Sequence, residues 1–214
     1  ITDRPDLAVV EVSGPDRLTW LTSISSQVLT GIAPGESREL LIMNPQGHIE
    51  HACGAIDDGE ILYLITEASD AQALADWLNS MRFALRVEIT ISQRWWLVGS
   101  IGDSGVSQCD QVALTWNDPW PGVVDGGAAY YQGKHPGDSF SFHIHLVPRD
   151  QAREFWREWS EGAPKRRAAG IAAWEATRIA AWRPRLGHET DARSMPAELD
   201  WLRTAVHTNK GCYR

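Results

Sequence analysis

The chain has 214 residues, 43% hydrophobic and 22% charged, which suits one large globular domain or two small ones with a sizeable core. Its formal net charge of -8 disfavours nucleic acid as a partner, and no apolar run approaches the roughly 18–20 residues of a membrane helix. Three scattered cysteines, Cys53, Cys109 and Cys212, form neither a disulfide framework nor a zinc pattern, and no signal-peptide pattern follows Ile1. The expectation is therefore a soluble, cytoplasmic protein whose two ends are both cut.

In chain order, Leu7–Gly14 reads as a strand, and Pro15 and Asp16 suit the first turn of a helix with Leu18 and Leu21 on one face. An apolar strand, Arg38–Met43, runs into a turn at Asn44–Gly47. "HIEHACGAI", the turn Asp57–Gly59 and "EILYLIT" make a hairpin. Leu74, Trp77, Leu78 and Met81 are spaced as one helical face within Ser69–Phe83, with Ser69 or Asp70 as cap. "LRVEITI" and "RWWLVGSI" return to strand patterns, and Gly102–Gly137 holds short strands near "VALTW" and "AAYYQ". Phe140, Phe142, Ile144 and Leu146 alternate to one side of the next strand.

An amphipathic helix, "RDQAREFWREWSEG", ends at Gly162, and a long helix from Pro164 stops before Pro184. The remainder is loop-like apart from a helical stretch around Glu198–Ala205. Interspersed elements with hairpins predict an α+β fold of antiparallel sheets with flanking helices, and an internal boundary at Gly162–Lys165.

His143 and His145, two apart on a strand, could share a metal only with a third ligand, and the alternation places them on the outer face of the sheet. Glu50 and His51 follow a tight turn, and simple alternation sends them to opposite faces. His188, Glu189, Asp191, Arg193 and Glu198 gather in an irregular segment just after Arg183 and Arg185, where carboxylates and arginines suit recognition of a heterocycle and an acidic tail. Cys212 follows Lys210 and Gly211. Local chemistry leaves it either an activated thiolate or a buried inert thiol. No P-loop and no G-x-G-x-x-G is present.

The end of the chain, "KGCYR" (Lys210–Arg214), resembles the start of the Lys-Gly-Cys-Tyr-x-Gly-Gln-Glu signature of the YgfZ-type folate-binding family, relatives of the glycine-cleavage T-protein (aminomethyltransferase). "RIAAWRPRLGHETDARSMPAELDWL" is similar to that family's Arg-Ile-Glu-Ala-Gly-x-Pro helix end and Pro-x-Glu loop. "VSGPDRLTWLTSISSQVLT" and "LIMNPQGHI" resemble its N-terminal segment and its Asp-Pro-x-Gly-Arg turn. Three departures stand out. The sequence stops before Gly-Gln-Glu and before the family's C-terminal β-barrel; Trp182 stands where the family has glycine; and Glu50-His51 stands where aminomethyltransferases have an Asp-Asp pair.

The resemblance implies a T-protein-like core: a discontinuous folate-binding subdomain of residues 1–45 and 165–214, and a ferredoxin-like subdomain of residues 46–164. It also implies a tetrahydrofolate cofactor and a role in iron–sulfur cluster assembly or repair, with iron–sulfur proteins or their assembly factors as partners. Cys212 would be the functional thiol, with Lys210, Arg178, Glu198, Glu189, Asn44 and Tyr213 holding the folate. The alternative is a tetrahydrofolate-dependent aminomethyltransferase in which Glu50 or His51 replaces the aspartate.

Overall fold

In β2 (Leu7–Ser13) alternate side chains serve two different cores: Leu7 and Val9 enter one, while Ala8, Val10 and Val12 enter the other. The computed structural model describes residues 1–162 and 166–211. Within them β2 lies inside a five-stranded antiparallel sheet, in the order β3 (Ser37–Met43), β4 (Ile49–Asp57), β5 (Ile61–Glu67), β2, β6 (Glu88–Ser92). Its outer face packs under α1 (Arg17–Ile24) and α2 (Ala71–Met81), where Trp20, Leu21, Leu74 and Leu78 meet Val10, Leu40 and Leu64.

The inner face packs against a four-stranded antiparallel sheet ordered β1 (Thr2–Asp3), β7 (Trp95–Ile101), β9 (Phe142–Pro148), β8 (Leu114–Asn117). The outer face of this second sheet is covered by α3 (Ala152–Glu161), whose Phe155 and Trp159 rest on Val98 and Val147. The layers run helices, sheet, sheet, helix, so both sheets are buried on both faces. α4 (Ile171–Ala180) closes the seam with Trp174, whose ring lies so near Gly99 that a Cβ there would come within 2.5 Å of it. This is the expected α+β class with antiparallel sheets and flanking helices.

Several expectations change. The anticipated subdomain boundary between residues 45 and 46 falls in the turn that joins β3 to β4, which pair along their length, and β2 pairs with β5. Residues 46–164 contribute strands to both sheets, and the chain passes from one sheet to the other between β1 and β2 and again between β6 and β7. Every pairing is antiparallel. No strand forms at "AAYYQ", where Tyr130 and Tyr131 are exposed. The helix expected from Pro164 begins only at Ile171, because Gly170 takes an extended conformation (ψ 166°) at its N-cap. Residues 166–170 run as coil beside Ile1, whose carbonyl accepts from the Ala169 N–H at 2.8 Å, and Pro164 lies outside the described residues. Among the described residues no helix is long and apolar enough to cross a membrane.

Candidate functional site

Three charged side chains from distant parts of the chain meet in the seam between the sheets. Glu39 comes from β3, Asp118 from just beyond β8, and Arg183 from the end of the α4 segment. Arg183 Nη2 lies 2.5 Å from Glu39 Oε1, and its Nε donates to Asp118 Oδ2 at 2.9 Å. Glu39 also accepts from Trp201 Nε1 (2.9 Å) and Thr204 Oγ1 (2.6 Å), and Asp118 accepts from the Trp120 backbone N–H (3.0 Å). A charge is held this far from water only when it is paired and hydrogen-bonded. The pairing is nevertheless incomplete: Arg183 Nη1 is buried and has no hydrogen-bond partner among the described residues. Two carboxylates share one guanidinium, and burial pushes the Asp118 carboxyl up to about 6, against the pull of Arg183. Burial alone would lower the Arg183 pKa, but Asp118 and Glu39 raise it.

The cluster borders a cavity of about 110 Å³ walled by Trp116, Phe142, Trp174 and Trp201. Arg178, Arg183 and Pro184 line this cavity and also a neighbouring recess of about 450 Å³, which adds Tyr131, Trp182, Glu189 and Glu198. An aromatic-walled cavity with a few convergent polar groups and a perturbed carboxyl is the default form of a ligand site.

Of the residues singled out from the sequence, Arg178, Glu189 and Glu198 gather at this outer recess. All five Arg178 N–H donors are engaged within the protein, by Glu175, Glu189 and the Arg183 carbonyl at 2.7–3.0 Å. It braces α4 and the following loop, and could reach a ligand only by giving up a partner. Glu198 accepts from the Met195 N–H at 2.8 Å, at the head of a short 3₁₀ turn.

Asn44 and Lys210 lie elsewhere, lining a recess of about 830 Å³ on the helix side of the five-stranded sheet. Asn44 Oδ1 accepts from the N–H groups of Gln46 and His48 and so shapes the turn. Lys210 Nζ donates to the Thr22 and Ser25 carbonyls at the end of α1, and burial lowers its pKa. Cys212 and Tyr213 lie outside the described residues.

Two sequence expectations about histidines are corrected. His145 is not on an exposed face, because α3 covers that side of the sheet. It is held by Ser100 Oγ (2.8 Å) and Thr115 Oγ1 (2.9 Å), and burial takes its pKa down to about 3. His143 bonds Asn117 and Ser141, and among the described residues no group of three side chains is arranged to hold a metal. Glu50 and His51, expected on opposite faces, share one. Ile42 pairs with His51 and Met43 with Ile49, leaving Glu50 as an extra residue on β4. This bulge turns Ile49 to the inner core, and Glu50 and His51 both line a recess of about 690 Å³ on the α2 side.

The cluster of Glu39, Asp118 and Arg183 carries no motif. The one signal was a glutamate inside the otherwise apolar run "ELLIM", a charge where a strand should be buried.

No family model matches the chain, and no curated protein does. Among solved structures it is similar to the crystal structure of the glycine cleavage system aminomethyltransferase T from Bartonella henselae, with a TM-score of 0.71 and 19% identity. The match covers 94% of this chain and 56% of that one, so the chain spans little more than half the length of its neighbour. Over nearly its whole length, this chain has the fold of that aminomethyltransferase T.

Proposed function

We propose that the chain binds tetrahydrofolate, with the ring system in the cavity between the sheets, and that it serves iron–sulfur cluster assembly or repair through Cys212. The observation that carries the folate reading is Arg183 Nη1, a buried donor without a partner among the described residues, in the wall of an aromatic cavity. A flat heterocycle bearing both donors and acceptors suits that wall. It offers faces to Trp116 and Trp174, an acceptor to Arg183, and donors to the lone pairs left on Glu39 and Asp118.

The cavity alone takes no more than the ring system. The outer recess offers Tyr131 and Trp182 to a second aromatic group, with the charge of Glu189 already offset by Arg178. Bound tetrahydrofolate would supply a one-carbon carrier; the chain's own part is to bury the ring, exclude water and fix its orientation. The iron–sulfur role is supported by the resemblance of Lys210–Tyr213 to the YgfZ-type signature.

Titration with tetrahydrofolate, followed by tryptophan fluorescence, tests the binding. Saturable quenching, weakened tenfold or more in Arg183→Met and Trp116→Ala, is expected; no saturable binding overturns it. In cells lacking the protein, Cys212→Ser should fail to restore iron–sulfur enzyme activities that the unaltered chain restores. The shared face of Glu50 and His51 favours aminomethyl transfer as a second reading, and formation of methylene-tetrahydrofolate from an amine donor would put it first.

A further inference from the structure

One irregular segment walls the cavity between the sheets off from both recesses beside it. Residues 183–186 line the cavity, Arg183, Pro184 and Glu189 the outer recess, and residues 186, 187 and 190–192 the recess of about 690 Å³ on the α2 side. Few residues border the cavity and a recess at once: Arg178, Arg183 and Pro184 on the outer side, Glu67 and Leu186 on the α2 side. Three of these belong to the segment, and the other two are its ion-pair partners, Arg178 to Glu189 and Glu67 to Arg185. The partition between buried cavity and open surface is therefore this strap and what holds it.

Among the described residues, backbone hydrogen bonds tie the strap to the rest of the chain only at its two ends. The Arg183 N–H donates to the Arg178 carbonyl at 3.1 Å, and the Ile49 N–H to the Ser194 carbonyl at 2.9 Å. The bonds between, from His188 and Glu189 to the Arg185 carbonyl, stay within the strap. Two side-chain ties hold its middle. Arg185 donates to Glu67 (2.6 Å), Glu175 (3.1 Å) and Asp6, and Glu189 accepts from Arg178 (2.9 and 3.0 Å). The ties are unequal: the Arg185 side chain is 10% exposed and meets three carboxylates, whereas that of Glu189 is 39% exposed and has one ionic partner. Water competes for the more exposed pair, so that pair gives first. Beyond the buried Pro184, apolar anchoring is slight, since Leu186 is only partly buried against the inner core. Gly187, with φ +75° and open space beside its α-carbon, provides a joint.

We propose that residues 184–193 are a gate over the cavity, with the Glu189–Arg178 pair as its latch and Arg185 as its pin, and that a ring-sized ligand enters from the outer recess when the latch opens. Release of Glu189 frees the head of Arg178, which stands between the cavity and that recess, and lets the backbone at Pro184 lift. Arg185 meanwhile keeps the α2-side wall shut. Charge favours the same direction: Glu50, Glu67, Asp70 and Asp191 border the α2-side recess and repel an anionic ligand there. Closing re-forms the latch and keeps water from the ring. That the ligand is a folate rests on the reading above; the motion of the gate does not.

The test begins with methyl relaxation dispersion in the folate-free chain, which reads microsecond-to-millisecond motion. Exchange is expected at the Leu186 methyls and not at those of Leu62, which lies in the core under α1 and α2. The open population should grow roughly fivefold in Glu189→Gln, an exposed change that spares the core. Stopped-flow mixing with tetrahydrofolate then reads the route. Association should quicken roughly fivefold in Glu189→Gln, slow as much in Ala197→Trp, which narrows the outer recess, and stay unchanged in Ala192→Trp, which narrows the other. Flat dispersion at Leu186, dispersion unaltered by Glu189→Gln, or an association slowed by Ala192→Trp and not by Ala197→Trp overturns the proposal. Should tetrahydrofolate fail to bind, the folate reading falls, and the Leu186 dispersion still decides the gate.

Discussion

Gly54 of β4 lies under the indole of Trp116, so close that a Cβ on it would stand 2.6 Å from Trp116 Cε2. The two sheets approach this nearly only because one side has no side chain. Trp116 is pinned from its other end, where Nε1 donates to the Arg38 carbonyl at 2.7 Å. It therefore cannot swing aside to admit a methyl group. Gly54→Ala should cost about 1–3 kcal/mol in urea unfolding, the usual range for overpacking a tight core. Because both residues line the cavity, the same change should weaken tetrahydrofolate binding more than Arg178→Lys does.

Asp118 gives the fold a distinctive pH dependence. Its carboxyl ordinarily titrates at 3.8 and is pushed up to about 6 in the folded chain. Between those values the unfolded chain has released the proton and the folded chain retains it, so stability falls as pH rises across the window. Asp6, Asp58 and Glu175, whose pKa values are lowered, add the opposite slope, a stability lost as pH falls. These groups are common to the parent and to Asp118→Asn. Denaturation at pH 4 and pH 7 should show Asp118→Asn gaining stability relative to the parent at the higher pH. Equal differences at the two values would contradict an Asp118 carboxyl that burial keeps protonated.

Trp182 tests how the helix end is made. It has φ +58° and is 64% exposed, while the Arg183 N–H donates back to the Arg178 carbonyl at 3.1 Å and the Trp182 N–H to Ile179 at 3.0 Å. These bonds make a Schellman-type cap with tryptophan at the position that glycine prefers. The left-handed backbone costs a non-glycine residue roughly 1–2 kcal/mol. The exposed ring recovers little of this, through its edge contact with His135 at 6.1 Å. Trp182→Gly should raise thermal stability by about 1 kcal/mol in total, yet strip the outer recess of an aromatic wall. A stabilised variant with weaker folate binding would mark Trp182 as a residue kept for its ligand.

The strands and α2 were legible in the sequence because each carries a strict period: Leu40 and Ile42 face one core, Leu41 and Met43 the other. The bulge at Glu50 was not, since one extra residue leaves the letters alternating while it reverses which face they reach. His145 looked like a surface residue for the same reason: alternation gives the face, but only the packing of α3 says that the face is covered. The Glu39–Asp118–Arg183 cluster was hidden more deeply. Its members are separated by more than 60 residues at each step, and only the stacking of two sheets brings them together. The terminal motif named Lys210 for its charge beside Cys212, and the fold gives that charge a structural role as well.

Lys210 donates from Nζ to the carbonyls of Thr22 and Ser25, where α1 ends. Those carbonyls are the orphan acceptors of a helix C-terminus, and a cation there is favoured by the helix dipole. α1 has no basic residue in its own last turn, so the tail of the chain supplies one from far along the sequence. Burial lowers the Lys210 pKa, so the folded chain gives up this proton before the unfolded chain does, and stability rises as pH climbs through the lysine range. Lys210→Met keeps the apolar stem and removes both bonds, and should cost about 1–2 kcal/mol in chemical denaturation. Amide exchange at Ser25 and Ser26, whose N–H groups donate to Leu21 and Leu41, should quicken in the variant. Arg should restore protection only in part, because a planar guanidinium on a longer side chain does not place its donors where the compact ammonium sits between the two carbonyls.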